Sequence, residues 1–149
     1  LRGSYRSAGS LQEFYAPVFT GLMENHLLPL FERLKQVTGL ARSVIWGNAA
    51  NLCADLYDNL AKEHPEEPAV AEDRRRLLET PSSLVADGPN PLYNRVRYIA
   101  LDQPDLPASV RVRRSCCQRY RLESMKICYT CPRLSEDERI ALMRELGMS

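Results

Sequence analysis

Four of the five cysteines in the chain lie close together near its carboxyl end. They are Cys116, Cys117, Cys128 and Cys131, with the spacing C-C-x10-C-x2-C. Two cysteines separated by two residues suit one metal centre, because the short backbone between them turns back on itself. Thiolates in this number are typical of structural zinc or of an iron–sulfur cluster. Adjacent ligands are awkward around a single tetrahedral zinc ion, so the spacing favours an iron–sulfur cluster and leaves zinc, a disulfide and free thiols open as alternatives.

The surroundings of these cysteines are strongly basic. Residues 111–121 include five arginines and no acidic residue. Positive charge stabilises thiolates and the more negative, reduced form of a cluster, and it attracts an anionic ligand or an acidic redox partner. Arg114, Arg119 and Arg121 are therefore candidate substrate-binding residues. The alternative for each of them is a solvated, salt-bridged surface position.

The overall composition is that of an ordinary globular chain. Of its 149 residues, 44% are hydrophobic and 26% are charged, which suffices for one domain with its own core. The net charge of +1 gives no overall attraction to nucleic acid or to a membrane surface. Neither a signal peptide nor an apolar run of about 18 residues is visible, so we expect a cytoplasmic protein whose cysteines bind metal. The chain begins with Leu1 rather than Met, which is consistent with a fragment that lacks N-terminal sequence.

The first half of the chain has helical spacing of its apolar residues. Residues 1–9 are predicted to be a disordered lead-in. Ser10 and Glu13 then form a capping box that opens a helix. This helix is predicted to end at Gly39 and to be kinked or split by Pro29.

Two more helices are predicted before the cysteines. The first covers residues 41–63, and the second starts at Pro68 and ends near residue 79. The buried stripe of the 41–63 helix is expected to consist of Val44, Ile45, Leu52, Leu56 and Leu60. Cys53 on the same helix is expected to be a core thiol, because a buried free cysteine behaves as a small hydrophobe.

The second half of the chain has a different pattern. Two short alternating stretches predict an antiparallel β-hairpin, formed by Val96, Tyr98 and Ala100 with Val110 and Val112. Ser135 and Glu138 form another capping box that opens a terminal helix. The predicted fold is therefore mainly α, with a bundle-like helical body over residues 10–109, a short hairpin, and a cysteine-bearing segment over residues 110–149.

Three stretches of the chain carry a resemblance to a known family. They are residues 113–122 (RRSCCQRYRL) followed by Cys128-x-x-Cys131, residues 44–48 (VIWGN), and Asn90-Pro91-Leu92 followed by residues 95–100. Together they resemble the FhuF-type ferric-siderophore reductases over roughly residues 38–134. The cysteine motif is the specific part, because an adjacent pair with this spacing is rare, whereas the tryptophan segment alone is a weak signal.

The resemblance implies a [2Fe–2S] cluster with Cys116, Cys117, Cys128 and Cys131 as its ligands. It also implies reduction of imported ferric siderophores in the cytoplasm, of hydroxamate type in the best-known members. The chain has no G-x-G-x-x-G motif for a nicotinamide or flavin. An external electron donor is therefore expected, such as a ferredoxin-like protein or a flavin reductase.

The resemblance also allows Trp46 and Asn48 to line a siderophore pocket, although the size of Trp46 favours core packing. Two features depart from the family: its members have a longer N-terminal region, and the helix after Cys131 extends beyond the end of some members. The alternative function is a binding module, in which zinc or a structural or sensory iron–sulfur cluster is held without reductase activity.

Overall fold

The computed structural model describes residues 11–81, 88–125 and 127–148, without the side chains of residues 11–16. The predicted lead-in over residues 1–9 and the predicted capping box at Ser10 lie outside the described residues. Within the described ranges the chain forms five α-helices and one two-stranded antiparallel sheet, which confirms the predicted mainly α fold. No helix in these ranges is long and apolar enough to cross a membrane.

The first predicted helix is split into two. Helix α1 is Leu11–Leu22 and helix α2 is Leu28–Thr38, with a π-helical turn, Met23–Leu27, between them. The wide turn comes directly before Pro29, which cannot donate a backbone hydrogen bond. Gly39 ends α2 as predicted, with a left-handed φ of 69°.

Helix α3 spans Arg42–Glu63, as predicted, and Val44 and Ile45 of its predicted buried stripe are buried, but Leu52 and Leu56 are not. Leu52 and Leu56 are 69% and 55% exposed. The face that packs on the core instead contains Trp46, Ala50 and Ala54. The small side chains of the two alanines allow the neighbouring elements to approach the helix closely, which the leucines on the other side would prevent.

Helix α4 is Pro68–Arg74 and continues as a second π-helical turn, Arg75–Glu79, which matches the third predicted helix. This turn closes the first hydrophobic core, whose buried residues are Met23, Trp46, Ala50, Ala54, Leu77, Leu78 and Leu92. Cys53 packs against this core, as predicted, and burial raises the pKa of its thiol.

The predicted hairpin is confirmed. Strands β1, Val96–Ala100, and β2, Ser109–Arg113, pair antiparallel with Val96 opposite Arg113. Helix α5, Glu136–Glu145, begins at the predicted capping box of Ser135 and Glu138. The hairpin and α5 share a second hydrophobic core, formed by Leu101, Leu106, Val110, Val112, Ile140 and Met143.

Candidate metal centre

The segment that leads from β2 into the adjacent cysteine pair is fixed on helix α3. The Oγ of Ser115 donates a hydrogen bond to the carbonyl oxygen of Ser43 over 2.8 Å. The guanidinium of Arg113 donates to the Oδ1 of Asn48, one turn further along the same helix. Gly47 lies between these two contacts and lets the backbone of α3 come close to Ser115. Helix α3 therefore positions the residues directly before Cys116.

The end of β2 is also joined to the second half of the cysteine motif. The backbone N–H of Arg113 donates to the carbonyl oxygen of Thr130 over 2.9 Å, and its Nε is 3.3 Å from the Oγ1 of Thr130. Cys116 follows Arg113 by three residues, each of which extends the chain by at most about 3.6 Å. The adjacent pair and the Cys128–Cys131 turn therefore lie at the same end of the hairpin.

Residues 128–131 form the tight turn that the C-x2-C spacing predicts. The N–H of Cys131 donates to the carbonyl oxygen of Cys128 over 2.9 Å. The Sγ of Cys128 lies 3.3 Å from the hydroxyl of Thr130, which is buried. This hydroxyl is a polar partner for the sulfur. Cys131 is buried and Cys128 is half-buried, so the turn has both a protected and an accessible thiol.

The adjacent pair lies in a more open loop. Cys116 and Cys117 are both half-buried. The backbone N–H of Gln118 donates to the Sγ of Cys116 over 3.4 Å. Gln118 has a left-handed φ of 61° and is followed by a short 3₁₀ helix, Arg119–Arg121. A backbone N–H aimed at a sulfur is the kind of contact that stabilises negative charge on that sulfur.

Arg139 of helix α5 holds the Cys128–Cys131 turn and was missed by the sequence analysis. Its guanidinium donates to the carbonyl oxygens of Tyr129, Cys131 and Leu134. The signal was present in the sequence, because Arg139 shares a helical face with the apolar Ile140 and Met143. A charged residue on the buried face of an amphipathic helix marks a position with a specific partner.

A cleft with a volume of about 410 Å³ lies beside this turn. Tyr129 forms part of its wall, together with residues of α3, the hairpin and α5. The charged groups that line it are of both signs: Asp55, Asp58, Lys62 and Arg111. Its volume is in the range of small-molecule binding sites.

Two family models match the chain, and they divide it at the hairpin. The model described as ferric iron reductase FhuF-like transporter matches residues 8–106, and the model of the FhuF 2Fe-2S C-terminal domain matches residues 113–133. The first match alone covers more than half of the 149 residues. The chain belongs to the FhuF-like ferric iron reductase family. No curated protein and no solved structure matches it.

The cofactor of the FhuF C-terminal domain is a [2Fe–2S] cluster. The chemistry of the donor set in this chain fits that group. All four thiols of the motif are free of disulfide bonds, and four cysteine thiolates are the usual ligands of such a cluster. Gln118 and Thr130 add polar partners to two of the sulfurs. In the described parts of the chain, no three His, Cys, Asp or Glu side chains converge on the position of a single metal ion.

The other predicted site residues of this FhuF-like chain are dispersed. Trp46 is only 4% exposed and packs edge-on against the ring of Phe31, with ring centres 4.6 Å apart, which confirms the core-packing prediction. Asn48 holds Arg113 and thus lies behind the cysteine loop. A direct contact of Trp46 or Asn48 with substrate stays a prediction.

The arginines near the cysteines do not form one group. The guanidinium of Arg119 lies against the Sδ of Met125, and that of Arg121 donates to Gln118. The side chain of Arg114 is exposed, while its backbone N–H donates to the carbonyl oxygen of Arg95. Arg111 is bound to helix α3, where it is 6% exposed and paired with Asp55 and Asp58. Only part of the basic stretch therefore faces the cysteines and the solvent around them.

Proposed function

We propose that this protein is a ferric-siderophore reductase, and that Cys116, Cys117, Cys128 and Cys131 hold its [2Fe–2S] cluster. The observation that carries the proposal is the pair of hydrogen bonds between Arg113 and Thr130. These bonds tie the two halves of the cysteine motif to one end of the hairpin. Four thiols on one such unit supply the ligands that a two-iron cluster requires.

A bound cluster of this kind supplies one electron at a time, which is the number that ferric iron takes up on its reduction to ferrous iron. The oxygen atoms of a siderophore bind the hard ferric ion more tightly than the ferrous ion, so reduction releases the metal. No proton has to be removed and no nucleophile has to attack. The chain itself therefore needs no general base beside the cysteines.

The residues around the cysteines have three tasks in this function. The N–H of Gln118 and the hydroxyl of Thr130 stabilise negative charge on the sulfurs. Helix α3 fixes the loop through Ser43 and Asn48. The buried position of Cys131 limits access of water to one side of the site, while the half-buried thiols leave the other side open to a redox partner.

The cleft next to Tyr129 is the part of the molecule in which we place the ferric chelate. Its wall includes the residue between Cys128 and Thr130, so a molecule in the cleft lies beside the cysteine turn. Its charged residues balance each other in sign, which suits a chelate of low net charge. Three hydroxamate groups neutralise the charge of ferric iron, and a chelate of the hydroxamate type is therefore the proposed substrate.

Arg114, Arg119 and Arg121 lie on the exposed side of the cysteine loop, and we assign them to the approach of a negatively charged molecule rather than to direct ligation. That molecule is an anionic chelate or the acidic face of an electron donor. The proposed donor is a ferredoxin-like protein or a flavin reductase, and the proposed compartment is the cytoplasm.

The proposal is tested with anaerobically purified protein. A red-brown colour, with iron and acid-labile sulfide in equal amounts, is expected, and a colourless protein with bound zinc would contradict the cluster. The chemically reduced protein is then mixed with a ferric hydroxamate. The EPR signal of the reduced cluster should disappear while an Fe(II) chelator traps ferrous iron. A signal that persists would identify a structural or sensory cluster instead of a reductase.

A further inference from the structure

Arg139 is the most deeply buried charged side chain near the cysteines, with 2% of its surface exposed. Its three hydrogen bonds go to backbone carbonyl oxygens, which carry no net charge. Among the described residues its Nε is the one buried side-chain nitrogen or oxygen with no hydrogen-bond partner. A buried charge is costly unless an opposite charge compensates it.

Arg111 shows how this chain compensates a buried arginine elsewhere. Its exposed fraction is 6%, and its guanidinium is bound to the carboxylates of Asp55 and Asp58. Burial disfavours its charge, but the hydrogen bond that Arg111 donates to Asp55 and the negative charge of Asp58 outweigh burial and raise the pKa of Arg111. Among the described residues, by contrast, no carboxylate is hydrogen-bonded to Arg139, whose guanidinium donates to carbonyl groups instead.

The groups that Arg139 contacts belong to the cysteine turn and to the segment directly after it. Its guanidinium binds the carbonyl oxygens of Tyr129 and Cys131, and that of Leu134 three residues further on. A [2Fe–2S] cluster with four thiolates has a double negative charge when oxidised and one more when reduced. The compensating charge for Arg139 is therefore expected to come from the cluster and its ligands.

We infer that Arg139 is the internal counter-ion of the [2Fe–2S] cluster and raises its reduction potential by stabilising the more negative, reduced state. This inference rests on the proposed ligand set. Arg139 is a positioning residue that also tunes the cluster, because it holds the backbone on both sides of Cys131 and does not touch the substrate. The effect requires its positive charge, and the hydrogen bonds to the carbonyl groups alone would not produce it.

The test compares three variants of the full chain by redox titration: Arg139→Gln, Arg139→Lys and Arg144→Gln. Arg144 is the matched control, because it lies on the same helix but is exposed and bound to Asp105 and Gln103. Arg139→Gln should lower the ratio of reduced to oxidised cluster at least about tenfold at a fixed donor potential, which is a shift of 59 mV for a one-electron couple. Arg139→Lys and Arg144→Gln should stay within about threefold of the wild type.

An unchanged potential in Arg139→Gln would overturn the inference, and so would an equal shift in Arg144→Gln or in Arg139→Lys. If Arg139→Gln assembles no cluster, its potential cannot be measured, and the iron content and visible spectrum of Arg139→Lys become the test. A cluster in Arg139→Lys then supports the inference that the positive charge is required. If neither variant assembles a cluster although both are folded, the inference is overturned, and Arg139 only holds the backbone through its hydrogen bonds. A wild-type protein with a normal cluster but no transfer to a ferric chelate would contradict the proposed function and leave this inference standing.

Discussion

Gly47 of helix α3 and Ser115 of the cysteine segment are in closer contact than any other residue type at position 47 permits. A Cβ atom on Gly47 would lie less than 3.0 Å from the Oγ of Ser115, a separation that real Cβ atoms essentially never show. The same Oγ donates to the carbonyl oxygen of Ser43, so it is not free to move away without losing that bond. The glycine therefore serves the docking of the cysteine segment, although a glycine within a helix weakens the helix itself.

Gly47→Ala is predicted to destabilise the fold and to reduce cluster loading, because the new methyl group displaces Ser115 from α3. Gly21→Ala in α1 is the matched control, since its Cβ would be 3.9 Å from the nearest side-chain atom. The control should raise the free energy of unfolding by about 0.5–1 kcal/mol through helix propensity alone. Denaturant unfolding and iron content measure both effects.

A double variant shows whether the contact between position 47 and Ser115 causes the destabilisation by Gly47→Ala. In a Ser115→Ala background the Oγ is absent, so Gly47→Ala should regain the stability expected for a helical alanine. If Gly47→Ala is equally destabilising with and without Ser115, the close contact is not the cause.

The sequence predicted the elements whose signals are local. The hairpin follows from the alternation of Val96 to Ala100 and of Val110 to Val112, and α5 follows from its capping box at Ser135. The turn at Cys128 and Cys131 follows from the spacing of these two residues. In each case the deciding residues are within a few positions of one another, so short-range rules suffice.

The contacts between elements that are distant in the sequence were not predictable in the same way. Apolar spacing placed Leu52 and Leu56 in the core, whereas the packed face of α3 is the one with Ala50 and Ala54. The deciding factor is the close approach of distant elements, which the sequence of one helix does not contain. Arg139 is a partly different case: its place on the face of Ile140 and Met143 marks a buried charge, but the helix does not show which carbonyl groups it binds.

Replacement of Cys117 or Cys128 by Ser is predicted to abolish normal cluster assembly, since a hydroxyl is a poor substitute for a thiolate ligand. Cys53→Ala is the control, because this thiol packs against the first core and burial raises its pKa. The control should retain the visible spectrum and the iron content of the wild type. An unchanged spectrum in either serine variant would exclude that cysteine from the ligand set.

Arg111→Met is predicted to lower the free energy of unfolding by about 1.5–2 kcal/mol, because it removes the charge-assisted hydrogen bonds to Asp55 and Asp58, while Asp58 keeps its bond from Tyr98. Asp55→Asn should cost less than about 1 kcal/mol, since the side chain of Asp55 is 53% exposed. Urea unfolding of both variants measures the difference. Equal effects would mean that water, rather than Arg111, already compensates the charge of Asp55 and Asp58.

The double variant Arg119→Gln/Arg121→Gln is predicted to raise the KM for an acidic electron donor, such as a ferredoxin-like protein, severalfold at low salt. Both arginines are exposed, so the effect should shrink as the salt concentration increases. Arg33→Gln, an exposed position on α2, is the control. A KM that is unchanged at every salt concentration would make Arg119 and Arg121 ordinary surface residues.

Filling the cleft beside Tyr129 should slow the reaction and leave the cluster intact. Ala108 lies on the wall of this cleft, whereas Ala100, at the end of β1, is exposed but does not line it. Ala108→Trp is therefore expected to lower kcat/KM for a ferric hydroxamate at least about tenfold, which corresponds to about 1.4 kcal/mol of transition-state stabilisation. Ala100→Trp adds the same side chain outside the cleft and should change kcat/KM less than twofold.

The visible spectrum and the reduction potential of both variants should match those of the wild type, because neither substitution replaces a cysteine. Equal kinetics in the two variants would exclude the cleft as the site of the chelate and would direct attention to the open face of Cys116 and Cys117.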